Sequence, residues 1–354
     1  MDSAQVVIRP RRRRTVNPLR GVLCGGGFFA AFHMDAWRRM SGSAAIEALV
    51  EPDPARARAF ATQWSIPKVF ATFDEMLAVW AGGKPDFVDI ATRPDTHLPL
   101  TCAAAEAGIH VLSQKPMAST LEESIRMVEV CRENGVRLLV HENWRWQPWY
   151  REIHKHDLGP LHYIGFRMRT GDGRGPTPYE SQPYFATMPR LLIYETLVHF
   201  IDTCRYLVGE IEEVYCRTQR LNPLIAGEDA AQIHLRFANG AIGVIDANRI
   251  AGVMPSPIAF AEALIEGSAA RITMTDTGDL AIRRHGDSQE TPIAFDKPQT
   301  GYKGDSILAL QLHFVDCLRT GARCESEGED YLRTVKTVFA CYESAATNQP
   351  CLIR

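Results

Sequence analysis

Cys24-Gly25-Gly26-Gly27-Phe28-Phe29-Ala30 separates the apolar run Gly21–Cys24 from a helical pattern that continues toward Met40. Its small residues fall as Gly25-x-Gly27-x-x-Ala30, and each position has a steric reason. Glycine at 25 permits the tight turn, glycine at 27 lets backbone N–H groups approach a pyrophosphate, and a small residue at 30 lets helix pack close to strand. Phe28 and Phe29 fill the variable places and add main-chain N–H groups to the same cradle. The positive end of the helix then faces two negative charges. Glycines in any strand-to-helix turn are the plain alternative, so context decides. The next strand ends in Ala48-Leu49-Val50-Glu51, with Glu51 21 residues beyond Ala30. A carboxylate there accepts hydrogen bonds from adenosine ribose hydroxyls and repels a 2′-phosphate. Pro52 follows with no arginine beside it, so the reading is NAD in preference to NADP.

The alternation continues outward. Gly21–Cys24, Ala45–Val50, Phe87–Ile90, His110–Leu112 and Arg137–Val140 read as strands, with amphipathic helices at Pro54–Trp64, Phe73–Ala81, His97–Ala107 and Thr120–Asn134. That order builds a parallel sheet covered on both faces. From residue 160 longer runs follow at Leu161–Arg169, Glu213–Arg220, Ala230–Phe237, Ala241–Ala247, Phe260–Glu266, Ala270–Thr275 and Leu280–Arg284. Asn239-Gly240 between two of them is a strong hairpin signal. The fold class is therefore α/β: an N-terminal Rossmann-type parallel sheet plus a C-terminal α+β domain with an open, mostly antiparallel sheet. The divisions are a basic tail at 1–18, the NAD-binding domain at 19–142, and a substrate and oligomerisation domain at 143–354 whose last helices pack back on the first. The open face of the second sheet suits a partner subunit, so a homo-oligomer, dimer or tetramer, is expected.

The 354-residue length agrees with two domains. The net charge of −3 divides unevenly, because residues 1–20 hold six Arg against Asp2 (+5) and leave −8 for the rest. An acidic body lacks the clustered Lys and Arg that nucleic-acid phosphates require. Arg11–Arg14 lead into Thr15-Val16-Asn17-Pro18 rather than an apolar segment, so the tail reads as solvated and not as an export signal. No stretch of about 18 apolar residues predicts a membrane span. Nine Cys, odd in number and without a Cys-x-x-Cys pair, suit reduced thiols in a cytoplasm and offer no structural zinc spacing.

Two further motifs give the chain a likeness. Ala91-Thr92-Arg93-Pro94-Asp95-Thr96-His97 is followed by Ala107-Gly108-Ile109-His110-Val111-Leu112-Ser113-Gln114-Lys115-Pro116. With the glycine turn, these resemble the Gfo/Idh/MocA family, the relatives of glucose-fructose oxidoreductase and inositol dehydrogenase. The family's motifs are G-x-G-x-x-A, A-T-P-N-x-x-H and A-G-K-H-V-x-x-E-K-P. The resemblance implies that Thr92, Arg93, Pro94, His97, Gln114 and Lys115 meet the cofactor, and that Lys115 also touches the hydroxyl being oxidised. An ammonium at the carboxyl edge of the sheet would stabilise a developing alkoxide. A surface lysine after a strand is the bland alternative. Gln114 stands where the family has glutamate; its amide can still bond a ribose, but the local negative charge is lost.

His141-Glu142-Asn143-Trp144-Arg145-Trp146-Gln147-Pro148-Trp149 matches the family's N-x-R-x-x-P crossover, which implies that Asn143, Trp144 and Arg145 wall a substrate cleft. An aromatic hinge core is the alternative. Further on, Tyr194–Gly209 reads as one helix with Glu195, His199 and Asp202 at i, i+4 and i+7 on a shared face. Against the family's D-x-G-x-H-x-x-D, Glu195 takes the first aspartate position and Leu197 replaces the glycine. The resemblance implies catalytic roles for Lys115, Glu195 and His199, with Glu195 and Asp202 toward the substrate. Histidine suits removal of a hydroxyl proton near neutral pH. A satisfied buried network would give the same spacing. Glu195 and His199 could also ligate a divalent cation, although no metal is the primary expectation.

Arg167, Arg169, Arg174 and Arg190 precede that helix, and guanidinium groups beside a cleft favour a carboxylated sugar, with Arg167 in the substrate set. Surface salt bridges are the duller account. Gly171–Pro178 reads as a loop able to cover a substrate. The expected function is NAD-dependent oxidation of a secondary hydroxyl on a polyhydroxylated sugar, cyclitol or sugar acid. Two rivals are an NAD-dependent oxidoisomerase of a branched aldonate such as apionate, using a divalent metal, and a non-catalytic NAD-binding sensor. A sensor has no need of the pair Lys115 and His199.

Overall fold

The computed structural model describes residues 17–80 and 83–353, so the Arg-rich run expected to form a solvated tail lies outside the described residues. The first half alternates β1 (Leu19–Cys24), α1 (Ala30–Arg39), β2 (Ala44–Val50), α2 (Pro54–Trp64), β3 (Lys68–Phe70), α3 (Phe73–Val79), β4 (Phe87–Ile90), α4 (His97–Glu106), β5 (His110–Gln114), α5 (Leu121–Glu133) and β6 (Leu138–His141). Helix starts follow local chemistry. Asp53 caps α2 by accepting from the Ala55 and Arg56 N–H groups, with Pro54 in the first turn. Thr72 with Glu75, and Thr120 with Glu123, form reciprocal capping boxes at α3 and α5. The sheet order is β3-β2-β1-β4-β5-β6, parallel throughout. The order reverses between β1 and β4, which opens a crevice at their carboxyl ends. β3 escapes sequence reading because it has only three residues.

α6 (Pro148–Ile153) leads to β7 (Leu161–Arg169) of the second sheet. The helix expected over Tyr194–Gly209 is split: a π-helical turn at Leu192–Leu197 precedes α7 (Val198–Leu207). That correction matters below, because the wide turn breaks the i, i+4, i+7 spacing of a continuous helix. Then come β8 (Ile211–Gln219), β9 (Ala230–Phe237), β10 (Ile242–Asn248), β11 (Ala261–Gly267), β12 (Ala270–Met274), β13 (Leu280–Arg284), β14 (Thr291–Ile293), α8 (Ser306–Thr320), α9 (Gly328–Thr347) and β15 (Cys351–Leu352). The sheet runs β14-β13-β12-β11-β7-β10-β9-β8-β15, antiparallel except where β7 meets β10. β9 and β10 pair as the hairpin that Asn239-Gly240 predicts. Along β9, burial alternates residue by residue, so one face joins the core and the other is open. α8 packs on α1 and α9 on α5, and apolar residues of both sheets share one cluster, from Val22 and Val88 to Ile233 and Ile265.

Candidate active site

At the β1–α1 turn Gly25 sits at φ +97°, and a Cβ there would come within 2.7 Å of the Ala91 carbonyl oxygen. Gly27 faces open space, where a pyrophosphate would fit. The first turn of α1 has no side-chain cap and no acidic residue, so its N–H groups suit an anion. Glu51 is 4% exposed and accepts from the N–H groups of Gly26 (2.9 Å) and Asp53 (3.0 Å). Arg56 also reaches it, Nη2 to Oε1 at 2.9 Å, which corrects the expectation that no arginine stands beside Glu51. Burial pushes the Glu51 carboxyl up, but the bonds from Arg56, Asp53 and Gly26 prevail and hold it below the ordinary carboxylate value. Arg56 is thus engaged by the same carboxylate that disfavours a 2′-phosphate. The cradle fits a dinucleotide.

Around it, Phe28 is 58% exposed, and Phe29 packs edge-on against Tyr302 with centroids 5.2 Å apart. Thr92 Oγ1 accepts from Thr96 at 2.6 Å, Pro94 opens a short 3₁₀ turn, and exposed Arg93 pairs with Asp95 at 2.7 Å. Two expected cofactor contacts turn inward instead. His97 is fully buried, its ring nitrogens 3.2 Å from the Thr92 carbonyl oxygen and 3.1 Å from that of Met117, so it fastens two loops together. Gln114 accepts the Lys115 N–H at 2.6 Å, and its Nε2 lies 3.0 Å from His33 Nε2, itself tied to Asp89. Both residues position the loops under the crevice.

The ionisable groups expected on one helical face each take a partner from the first sheet or the crossover. Lys115, at the end of β5, forms a short ion pair with Glu195 Oε1 and donates to the Glu195 carbonyl oxygen at 2.8 Å. His199 Nδ1 lies 2.6 Å from Glu142 Oε1. Glu142 also accepts from the Trp144 N–H at 3.1 Å and the Tyr331 hydroxyl at 2.9 Å. Burial raises the Glu142 carboxyl, but the charge and hydrogen bond of His199, with those two donors, bring it below its ordinary value. In the neutral tautomer that donates Nδ1–H to Glu142, Nε2 of His199 is the nitrogen that offers a lone pair. Trp144 stacks on the His199 ring at 4.3 Å and 14°. Asp202 receives Arg145 through Nε (2.7 Å) and Nη2 (2.6 Å), plus the Thr334 hydroxyl at 3.0 Å.

Several substrate assignments are therefore corrected. Arg145 and Asp202 are 6% and 0% exposed and satisfy each other, so they bind the crossover to α7 rather than a ligand. Asn143, 1% exposed, gives its amide to Ser306 Oγ at 2.8 Å. Arg167 projects from the open face of the second sheet, 3.5 Å from Glu262. Arg169 pairs with Asp246, and Arg190 covers Phe339 and Tyr342. Glu142 and Tyr331 went unrecognised, because neither has a local pattern. So did Arg249, which holds Thr196 at 3.1 Å while Thr196 donates to Glu195 Oε2 at 3.1 Å. Its pairing with Asp172 pins the start of the loop expected to cover a substrate.

The pair Glu195 and His199 is already partnered by Lys115 and Glu142, which leaves it poorly suited to a cation. Elsewhere His313, Cys317 and Cys324 bring ligand atoms within 4.8 Å of one another, a grouping the sequence spacing did not suggest. There His313 Nε2 accepts the Glu325 N–H at 2.8 Å, and Arg137 sits 3.4 Å from Cys324 Sγ.

Residues 19–142 match the family described as oxidoreductase family, NAD-binding Rossmann fold, and residues 150–272 match the GFO/IDH/MocA C-terminal domain. The chain is 33% identical to a D-apiose dehydrogenase of Paraburkholderia graminis, over 97% of this chain and 92% of that protein. It is 32% identical to the D-apiose dehydrogenase of Rhizobium rhizogenes, over 94% and 96%. Among solved structures, an oxidoreductase from Agrobacterium radiobacter in complex with NAD+, L-tartaric acid and magnesium superimposes with a TM-score of 0.87 at 30% identity, covering 95% of this chain and 98% of that one. The chain therefore belongs to the Gfo/Idh/MocA oxidoreductases and is an NAD-dependent enzyme acting on CH–OH groups.

Proposed function

We propose that the chain oxidises a secondary hydroxyl of a small sugar or sugar acid, with Lys115 holding that hydroxyl and His199 taking its proton. The observation that carries this reading is the meeting of Lys115 with Glu195 beside a His199 whose Nδ1 is committed to Glu142. When bound, NAD supplies the hydride acceptor at its nicotinamide. Lys115 has three N–H donors and gives two to Glu195, so the third is free for a substrate oxygen. Its charge favours the alkoxide character that grows as the C–H bond breaks. His199 Nε2 receives the hydroxyl proton, and the Glu142 carboxylate steadies the resulting imidazolium and fixes the ring tautomer. The likeness to D-apiose dehydrogenases supports a small polyhydroxylated substrate. Glu195 and His199 are engaged by Lys115 and Glu142, which supports simple dehydrogenation over metal-assisted rearrangement, and chelators are expected to leave the rate unchanged.

The test is a panel of polyols, aldoses and aldonates with NAD and with NADP, followed by absorbance of the reduced nicotinamide. On whichever member turns over, His199→Gln is expected to lower kcat about a thousandfold and Glu142→Gln about a hundredfold. Glu142→Gln should also displace the pH–rate profile, since it acts through His199. Unaltered rates in His199→Gln would remove the base assignment, and a silent panel would favour the sensor reading.

The protein is further proposed to act as a cytoplasmic homo-oligomer without nucleic-acid partners. Among the described residues no helix is long and apolar enough to cross a membrane, and all nine cysteines are free thiols. The open face of the second sheet presents Ile242, 56% exposed, together with Tyr163, Val244 and Leu264. Such a face is covered in stable assemblies. Light scattering of the purified chain is expected to give at least twice the mass of one chain, and Ile242→Lys to reduce it; a monomer at micromolar concentration would rule the interface out.

A further inference from the structure

A second cation stands beside the site without a counter-charge. Lys303, in the turn before α8, donates one N–H to the Ile258 carbonyl oxygen at 2.9 Å. Its Nζ lies 3.7 Å from the centroid of Phe260 and 5.5 Å from that of Trp144, the ring stacked on His199. Aromatic faces attract an ammonium but cannot fill its remaining N–H donors. Lys115, Arg39, Arg145 and Arg249 are each paired with a carboxylate. Lys303 forms no such pair among the described residues, and burial alone acts on its titration, pushing it down to about 7.

The backbone around it is held in an uncommon shape. Lys303 has φ +44° and Phe260 φ +67°, in the region that side-chain-bearing residues avoid. Strain persists where the surroundings over-determine it, and it gathers at ligand clamps. Here the surroundings are on view. Asp305 pairs with Arg39 of α1, and Tyr302 packs on Phe29 and Phe32 at 5.2 and 4.9 Å, beside the glycine turn. Gly304, at φ +71°, lies so close to the crossover that a Cβ would meet Pro148 Cδ at 2.5 Å. The turn is thereby fastened to the cofactor cradle and to the crossover at once. Lys303 as a residue is half-buried.

We propose that Lys303 receives the carboxylate of the substrate, which makes the enzyme selective for sugar acids over neutral sugars of equal length. A carboxylate would fill the two open N–H donors with charge-assisted bonds and supply the missing counter-charge. Trp144 and Phe260 would pack against the intervening carbons. The inference rests on the reading that Lys115 and His199 form the oxidising site, since that reading places the reacting hydroxyl beside Trp144.

The test measures binding of aldonates and their matching alditols, four to six carbons long, to the NADH-loaded protein by calorimetry, alongside initial rates with NAD. The wild type is expected to bind the best aldonate about 30-fold tighter than its alditol, Lys303→Met to bring that ratio near unity, and Lys303→Arg to restore part of it. Equal affinity for acid and alditol in the wild type, or an undiminished ratio in a folded Lys303→Met, would overturn the proposal. A Lys303-dependent preference without NADH formation would uphold the anion site while refuting the oxidation chemistry, so the two failures are separable.

Discussion

Lys115→Ala is expected to lower kcat/KM by about ten-thousandfold while NAD affinity changes little. The lysine reaches into the cleft from the end of β5, and the pyrophosphate cradle is at the β1–α1 turn, so removing the ammonium leaves the main anchor for the cofactor untouched. What disappears is the charge beside the reacting oxygen and the bond that holds Glu195 in place. Both losses fall on the transition state, so kcat should drop more than KM rises. Lys115→Arg tests the geometry: it keeps the charge but spreads it over a planar fork, and a compact ammonium donating to a carbonyl and a carboxylate oxygen at once is not reproduced by that shape. Initial rates paired with nucleotide calorimetry decide the matter. Turnover within tenfold of wild type, or loss of NAD binding in step with rate, would each remove Lys115 from its assigned place.

The second large effect is on folding. Arg145→Ala is expected to destabilise the protein by about 3–5 kcal/mol, because it removes both charge-assisted hydrogen bonds of the buried Asp202 carboxylate and leaves only Arg205, 3.9 Å away and shared with Glu210, as a counter-charge. Asp202 has no exposure, and burial already raises its carboxyl against the pull of Arg145. Replacing both residues with apolar ones, Arg145→Met with Asp202→Leu, should recover much of the loss, since neither charge is then stranded. Urea unfolding followed by fluorescence supplies both numbers. If Arg145→Ala instead unfolds like the wild type and only raises KM, the residue reads substrate after all.

What could be read in the sequence was what is decided locally. The Gly25 turn, the Asp53 cap of α2 and the Asn239-Gly240 hairpin each depend on a few neighbouring atoms, and their elements emerge within a residue or two of expectation. β3, β14 and β15 have three, three and two residues, so their pairing partners rather than their own pattern define them. At the site, spacing identified Glu195, His199 and Asp202 as unusual but not what faces them. Glu142 lies 57 residues from His199, and Arg145 lies 57 from Asp202, distances at which no periodicity operates. The π-helical turn hides for a related reason: one extra residue per turn leaves no mark on composition. Arg56 was within reach, since the first turn of a helix after a strand end brings its side chains back over that end.

The pairing of Lys115 with Glu195, Glu142 with His199 and Arg145 with Asp202 also bears on how such enzymes diversify. Every ionisable group of this stretch is engaged by another part of the protein, so the segment carrying the base has little left with which to tell one substrate from another. On the roles proposed above, discrimination falls to the turns around Asp172, Ile258 and Lys303, which lie outside the segment assigned the proton and hydride chemistry. A lineage built this way keeps its reaction and exchanges its diet.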